Sequence, residues 1–502
     1  MWHIEASDDE PMYRQIRRHF ERLILSGHLI PGQKLPTERE LARKLGVNRS
    51  TITAAYDGLR AVGLIRSTQG YGTHVSEDAW GLNPGLPDWN KYNSQGLFQP
   101  TLPILRLIWD ANSNPDIINL ARGEISPDLW PHETIRDLLA STDVPIPMGY
   151  SDPRGLTTLR STLERHLVHR LGLHVSADEI LITAGAQEGL LLISQFLLKP
   201  GDAVAIEKPS YAYSLSLFAS AGLRLFPIPV DKAGLQPEAV KSLHRHHKIQ
   251  MIFVGPTFQN PTGTTLTKSR RQRLLASCTD SRIPIVEDYA YGGLELEGAP
   301  ATPPPLATLP EAKGQVIHVG TLSKTFAPGL RIGWIAGPHN VIERLAGAKE
   351  QMDLGVSSLG QVIAERLIAT GRWEEQRQHL QHVLTRRRNT MANEITRIMG
   401  PDVEFRLPDG GYHLWLKLRT PLGERELVEA SLQDGVVVVP GSVYGADAGY
   451  VRLTYACASE NQIIEGIARL QKALRKLISE KNWKASARQN DQGPESTLPS
   501  NS

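Results

Sequence analysis

A chain of 502 residues exceeds what one hydrophobic core organises, so two or more domains are expected. Its 40% hydrophobic and 22% charged content is that of a globular protein, and a net charge of +2 excludes a polycation. Any affinity for nucleic acid must therefore sit in a local patch. Cys278 and Cys457 lie far apart without metal-ligand spacing and read as two buried thiols. The N-terminus has no basic stretch leading into an apolar one, and no apolar run is long enough to span a bilayer, so a cytoplasmic protein away from membranes is expected.

From Met12 to Ser26, Ile16, Phe20, Leu23 and Ile24 recur at helical spacing, with arginines on the other faces. Pro31-Gly32 forces a turn. Thr37 stands three residues before Glu40, a capping-box spacing that opens a second helix over Glu38–Leu45. Gly46 ends it, and Asn48 is placed to cap a third helix from Arg49 to about Val62. Leu64–Arg66 and Thr73–Val75 flank Gly70-Tyr71-Gly72 as strand, turn and strand. Three helices and a β-wing make a winged helix-turn-helix, expected over 8–76. Its third helix carries Arg49, Ser50 and Thr51 at the end that enters the major groove. From Asp8 to Ser76, 11 Arg and Lys outnumber 7 Asp and Glu, which suits contact with phosphates.

Residues 77–116 contain scattered prolines and aromatics and read as a linker. From 117 to 479, β-branched runs alternate with helical stretches, the pattern of an α/β domain with a largely parallel sheet. Residues 480–502 lack apolar periodicity and are expected to be a disordered tail. Within the α/β zone, Ile180–Thr183 is a strand leading through Ala184-Gly185-Ala186-Gln187 into a helix over Glu188–Leu198. Such a small-residue turn offers free N–H groups and a positive dipole end to a phosphate. Tyr211 follows another buried strand and could stack on a flat ring. Asn260 and Asp288 stand at the carboxyl ends of further strands, where α/β sheets bind ligands. Lys324 follows the strand Val316–Thr321 among hydroxyl residues, with Arg331 downstream. The run His244-Arg245-His246-His247 has no acidic or cysteine partner at ligand spacing, so it reads as a solvated helix end and no metal site is expected.

In the N-terminal zone, Leu35–Ala42, Leu45–Thr51 and Gly70–Thr73 resemble the DNA-binding pattern of the GntR family. That resemblance implies DNA contact by Arg39 and Arg49 and by the wing tip at Gln69 and Gly70. The ordered motifs of the C-terminal zone resemble the fold-type-I aminotransferases, in the branch joined to GntR-type domains and called the MocR subfamily. The implied fold is a pyridoxal-phosphate-dependent transferase with large and small subdomains. By that resemblance Lys324 would bond covalently to pyridoxal 5'-phosphate, and Asp288 would pair with its ring nitrogen. Asn260 and Tyr291 would bond its phenolic oxygen, and Tyr211 would stack on it. Gly185, Ala186, Gln187, Thr321, Ser323 and Arg331 would hold its phosphate. Ala186 departs from the serine of many relatives and removes one hydroxyl contact. Arg452, in Tyr450–Leu453, would clamp a substrate carboxylate. Gly123 and Tyr150 match positions beside the substrate, and Tyr150 would reach a partner subunit's site.

Two functions fit these residues. One is a transcription regulator that binds operator DNA as a homodimer and senses an amino acid, an amine or pyridoxal phosphate. The other is a working aminotransferase that carries a DNA-binding domain. The groove-reading helix favours the regulator, because catalysis has no use for it.

Overall fold

The computed structural model describes residues 11–68, 72–76, 79, 102–111, 114–140, 146–312, 314–420 and 422–491, with side chains up to Ser479. Gln69 and Gly70 of the wing tip and residues 492–502 lie outside the described residues. The chain forms two compact units, Met1–Gly96 and Leu97–Ser502.

The first unit holds α1 (Met12–Leu25), α2 (Glu38–Leu45) and α3 (Arg49–Ala61), then an antiparallel pair of β1 (Ile65–Thr68) and β2 (Gly72–Val75). Ile16, Phe20 and Ile24 point one face of α1 at Ile52, Ala55, Tyr56 and Leu59 of α3. The capping box forms as expected: Glu40 N–H donates to the Thr37 hydroxyl, and the Glu40 carboxylate accepts the Thr37 N–H at 2.9 Å. Gly46 ends α2 in the left-handed region at φ 66°. Asn48 occupies the N-cap of α3, but its side chain makes no capping bond, which corrects the expected cap.

The second unit opens with α4 (Pro103–Ala111), inside the stretch read as linker. Ile108 and Ala111 bury one face of α4 against Val428, Val437, Val443 and Tyr444. Prolines flag a break in regular structure, but Pro103 starts this helix, where its missing N–H costs nothing. After β3 (Ile118–Asn119), α5 (His132–Ala140) and α6 (Thr157–Leu171), the chain builds a large sheet. Its strands are β4 (Ile180–Thr183), β5 (Ala203–Lys208), β6 (Arg224–Asp231), β7 (Gly234–Leu235), β8 (Met251–Val254), β9 (Ile285–Asp288), β10 (Val316–Thr321) and β11 (Gly333–Ala336). They lie in the order β4-β11-β10-β9-β8-β5-β6-β7. β10, β9, β8, β5 and β6 run parallel, and β11 is antiparallel to both its neighbours, so β4 points the same way as the parallel set.

Between these strands lie α7 (Ala186–Phe196), α8 (Leu217–Ser220), α9 (Glu238–His247) and α10 (Lys268–Ser281), followed by α11 (His339–Asp353) and α12 (Ser358–Ala369). Every residue of β4, β8, β10 and β11 is buried, because helices cover both faces of the sheet. The helix after β4 begins at Ala186, two residues earlier than expected, with Gly185 as its N-cap at φ 95°.

A smaller sheet follows α13 (Arg372–Met399). It orders β12 (Val403–Phe405), β13 (His413–Leu418), β16 (Tyr450–Thr454) and β15 (Val439–Pro440). α14 (Glu424–Gln433) and β14 (Val436–Val437) intervene, and β14 pairs with β3. α13 and α15 (Glu460–Asp491) supply Leu384, Met391, Ile463 and Ile467 to the core beneath this sheet. α15 therefore runs well into the stretch read as a disordered tail. Lys481, Lys484, Ala485, Ala487 and Arg488 are good helix formers that extend it without an apolar stripe.

Candidate functional site

The parallel strands of the large sheet end along one edge, and their carboxyl ends open into a cavity of about 1330 Å³. It is lined by Gly123, Gly185, Ala186, Gln187, Tyr211, Asn260, Asp288, Tyr291, Thr321, Ser323, Lys324, Arg331 and Arg452. Residues up to 329 positions apart in sequence thus face one space, and of the expected cofactor and substrate residues only Tyr150 is elsewhere. Tyr150 is 89% exposed.

At one end, Gly185 and the first turn of α7 form a cradle. Arg331, in the left-handed region at φ 53°, lays its guanidinium against Gly185 and donates to the Ala184 carbonyl. A Cβ at Gly185 would stand 3.0 Å from Arg331 Nη2, and one at Gly333 would stand 2.7 Å from the Gly185 carbonyl carbon. The two glycines let strand, helix start and guanidinium close together. Thr321 and Ser323 complete this corner: Ser323 N–H donates to the Thr321 hydroxyl at 3.1 Å. A helix N-terminus, two hydroxyls and an arginine are a donor set for a phosphate, even with alanine at 186.

In the middle, Asp288 at the end of β9 accepts the Ala290 N–H at 3.1 Å and meets no cation at ion-pair distance among the described residues. Burial pushes its carboxyl above the usual range. A buried carboxylate in that state fits a ligand that brings its own positive charge, such as a protonated pyridine nitrogen. Lys324 donates from Nζ to the Gly123 carbonyl at 2.7 Å. Burial first, then the nearby Arg452, lowers its amine to about 8. A substantial neutral fraction near neutral pH makes that amine a nucleophile.

At the far end Arg452 is 4% exposed. It donates to Asn260 Oδ1 at 3.1 Å and to the Ala121 carbonyl, and lies 5.0 Å from the Tyr444 ring centroid. Its buried Nε has no partner among the described residues. Its guanidinium lines the cavity beside the lysine, where a planar fork of donors is suited to take a carboxylate.

Several groups here escaped the sequence reading. Leu105, Ile108 and Trp109 of α4 form part of the wall. Glu207 of β5 is buried beside the cavity, accepting the Gly255 N–H at 2.8 Å. Tyr412 donates to the Lys324 carbonyl, and His413 bonds Tyr291. The one available signal was Gly410-Gly411: a Cβ at Gly410 would stand 2.4 Å from the Phe258 ring, and Gly411 has φ 75°. Paired glycines of this kind mark a close approach of backbone to a side chain.

On the first unit, Arg39, Arg49 and Ser50 are exposed and Thr51 is half-buried. Arg49 Nε lies 3.5 Å from the Glu38 carboxylate, which also holds Arg60 at 3.0 Å. Glu38 thus orients the arginine at the start of α3 without burying it.

A model of the aminotransferase class I and II family matches residues 115–470, and one of the bacterial regulatory proteins of the gntR family matches residues 12–75. Two proteins of Bacillus subtilis (strain 168), the uncharacterized HTH-type transcriptional regulators YdfD and YisV, are similar over nearly the full length. They are 36% and 37% identical, over 93% and 95% of this chain and 97% and 99% of their own. Among solved structures, a kynurenine aminotransferase of Pyrococcus horikoshii in complex with PMP matches with a TM-score of 0.71 and 31% identity, covering 77% of this chain and 96% of that one. Fold and site together define a DNA-binding winged helix-turn-helix joined to a fold-type-I aminotransferase domain, whose cofactor is pyridoxal phosphate. The chain belongs to the GntR-family transcription regulators of the MocR subfamily.

Proposed function

We propose that this regulator senses an amino acid or amine through its pyridoxal phosphate site and passes that occupancy to operator binding as a homodimer. The observation that carries the reading is the convergence of Lys324, Asp288, Arg331 and Arg452 on one cavity in a chain that also carries a groove-reading helix. Bound there, pyridoxal phosphate would supply an electrophilic carbon and an electron-withdrawing ring. Lys324 would hold that carbon until an incoming amine displaces it, with Asp288 keeping the ring nitrogen protonated. Arg331, Thr321, Ser323 and the N–H groups of Ala186 and Gln187 would anchor the phosphate. Asn260 and Tyr291 would bond the ring oxygen, and Tyr211 would lie over the ring. Arg452 would take the carboxylate of an amino acid, beside Gly123. Exposed Tyr150 is free to reach the partner subunit's site. Arg39, Arg49, Ser50 and Thr51, with Gln69 and Gly70, would contact DNA.

An effector changes DNA binding only by its difference in affinity for two arrangements of the protein, about 1.4 kcal/mol per tenfold change. The test is a titration of the full-length protein, loaded with pyridoxal phosphate, with single amino acids and amines, reading its visible absorbance and its operator affinity together. A compound that shifts both supports the sensor. Absorbance shifts that leave operator affinity unchanged for every compound would defeat it.

A second reading has its own support. Lys324, Asp288 and Arg452 are all present, and a released Lys324 amine near neutral pH could carry a proton as a general base, as transamination requires. Release of a keto acid in the same titration would support the aminotransferase.

A further inference from the structure

Behind the face that Tyr291 turns to the cavity lies a short chain of hydrogen bonds. Tyr291 Oη is 2.8 Å from His413 Nε2, and His413 Nδ1 is 3.1 Å from Thr454 Oγ1. All three side chains are buried, at 7%, 1% and 0% exposure. A Cβ at Gly123, whose carbonyl receives Lys324, would lie 3.7 Å from His413 Cε1 and 3.8 Å from Tyr291 Oη, so the relay borders the lysine.

The direction of these bonds follows from counting donors. Burial, with Arg452 and Lys324 nearby, holds the His413 ring well below its usual range, so it is neutral, with one donor and one acceptor nitrogen. Tyr291 and Tyr412 are the other titratable groups against the ring, and burial pushes both hydroxyls up, so neither carries charge. Thr454 Oγ1 has no partner other than His413 among the described residues. If Nδ1 carried the proton, the Thr454 hydroxyl hydrogen would be buried without an acceptor, a costly arrangement. With the proton on Nε2, Thr454 donates to Nδ1 and His413 donates to Tyr291. The Tyr291 hydroxyl hydrogen is then left for the cavity.

We propose that His413, oriented by Thr454, is a positioning residue that makes Tyr291 an obligate donor towards the ring oxygen of the bound cofactor. This rests on the cofactor reading of the site given above. A bond accepted by Tyr291 Oη strengthens its own donation. Donation to the ring oxygen stabilises that oxygen in its charged form, so the relay lowers the pH at which the Lys324-linked chromophore gives up its proton.

The experiment is a pH titration of the visible absorbance of full-length protein reconstituted with pyridoxal phosphate. His413→Phe should raise the midpoint by about one pH unit, a tenfold change in the proton equilibrium. Thr454→Val should raise it by a smaller amount, and His413→Gln, which keeps a donor and an acceptor, should recover part of the shift. Tyr291→Phe should raise the midpoint most, and adding His413→Phe to it should change nothing further. A band in the wild type whose midpoint ignores both His413→Phe and Thr454→Val would overturn the relay alone, as would shifts that add to Tyr291→Phe. No band in the wild type would overturn the cofactor reading and the relay with it. Should His413→Phe fail to fold, the Thr454→Val midpoint decides: a wild-type value overturns the relay.

Discussion

The two units deploy charge in opposite ways. On the winged helix-turn-helix, Arg39 and Arg49 stand in solvent, and Arg49 is 72% exposed beside Glu38. In the aminotransferase unit, Arg452, Asp288 and Lys324 surround a cavity, and burial moves the last two away from their usual pKa ranges. A surface that reads DNA needs charges hydrated and extended, because its partner is a polyanion that releases counterions. A site that binds a small cofactor needs charges desolvated and fixed before the ligand arrives. Substitutions should therefore act through binding alone in the first unit and through both binding and protonation in the second.

The largest effect is expected at Lys324. Lys324→Ala removes the amine that donates to the Gly123 carbonyl at 2.7 Å, and the visible band of protein loaded with pyridoxal phosphate should disappear. A band that survives would mean another amine carries the cofactor. Asp288→Asn comes next. Losing one partner of a buried charge pair costs roughly 3–5 kcal/mol, so cofactor affinity should fall by about 100-fold or more in equilibrium dialysis. An unchanged affinity would show that Asp288 meets no positive charge on the ligand. Arg49→Ala should weaken operator binding by about 1–3 kcal/mol, and its melting temperature should stay near wild type because an exposed pair with Glu38 is worth little. Equal operator affinity in wild type and variant would remove Arg49 from the groove.

The same contrast explains what was legible in the sequence. The helices of the first unit follow from local rules: an i, i+4 stripe, a capping box and a left-handed glycine place α1 to α3 within a residue or two. The strand-end residues of the second unit were legible because a parallel sheet gathers its carboxyl ends at one edge. His413 and Thr454 were not. They sit on neighbouring antiparallel strands of the small sheet, and His413 meets a tyrosine 122 positions away. Period-two alternation says only which face of β13 each residue takes. α4 was missed because Pro103 and Trp109, among the prolines and aromatics around them, resemble linker chemistry, and its apolar stripe finds a partner only once α14 and Tyr444 are in place.

The last contrast lies within the cavity-bearing unit itself. Two glutamates of the large sheet are fully buried, and their pKa values move in opposite directions. Glu287 keeps its carboxyl low despite burial, through His318 at 3.1 Å, Arg271, and the Leu306 N–H at 2.6 Å. Among the described residues Glu207 has the Gly255 N–H at 2.8 Å and Gln259 at 3.4 Å as its partners, and burial raises it to about 8. A carboxyl raised on folding binds its proton more tightly in the native state. Between the unfolded value and about 8 the native state therefore holds more protons, and stability falls as pH rises through that window. Glu207→Gln abolishes this loss. Its melting temperature relative to wild type should climb from pH 5 to pH 8, by at most roughly 1.4 kcal/mol of stability per pH unit crossed. Glu287→Gln should behave in the opposite sense. The lowered Glu287 contributes stability above its unfolded pKa and loses it as pH falls, so the variant should be weakest against wild type at neutral pH and recover towards it in acid. Parallel pH profiles for the two variants would show that these partners do not set the two buried carboxylates apart.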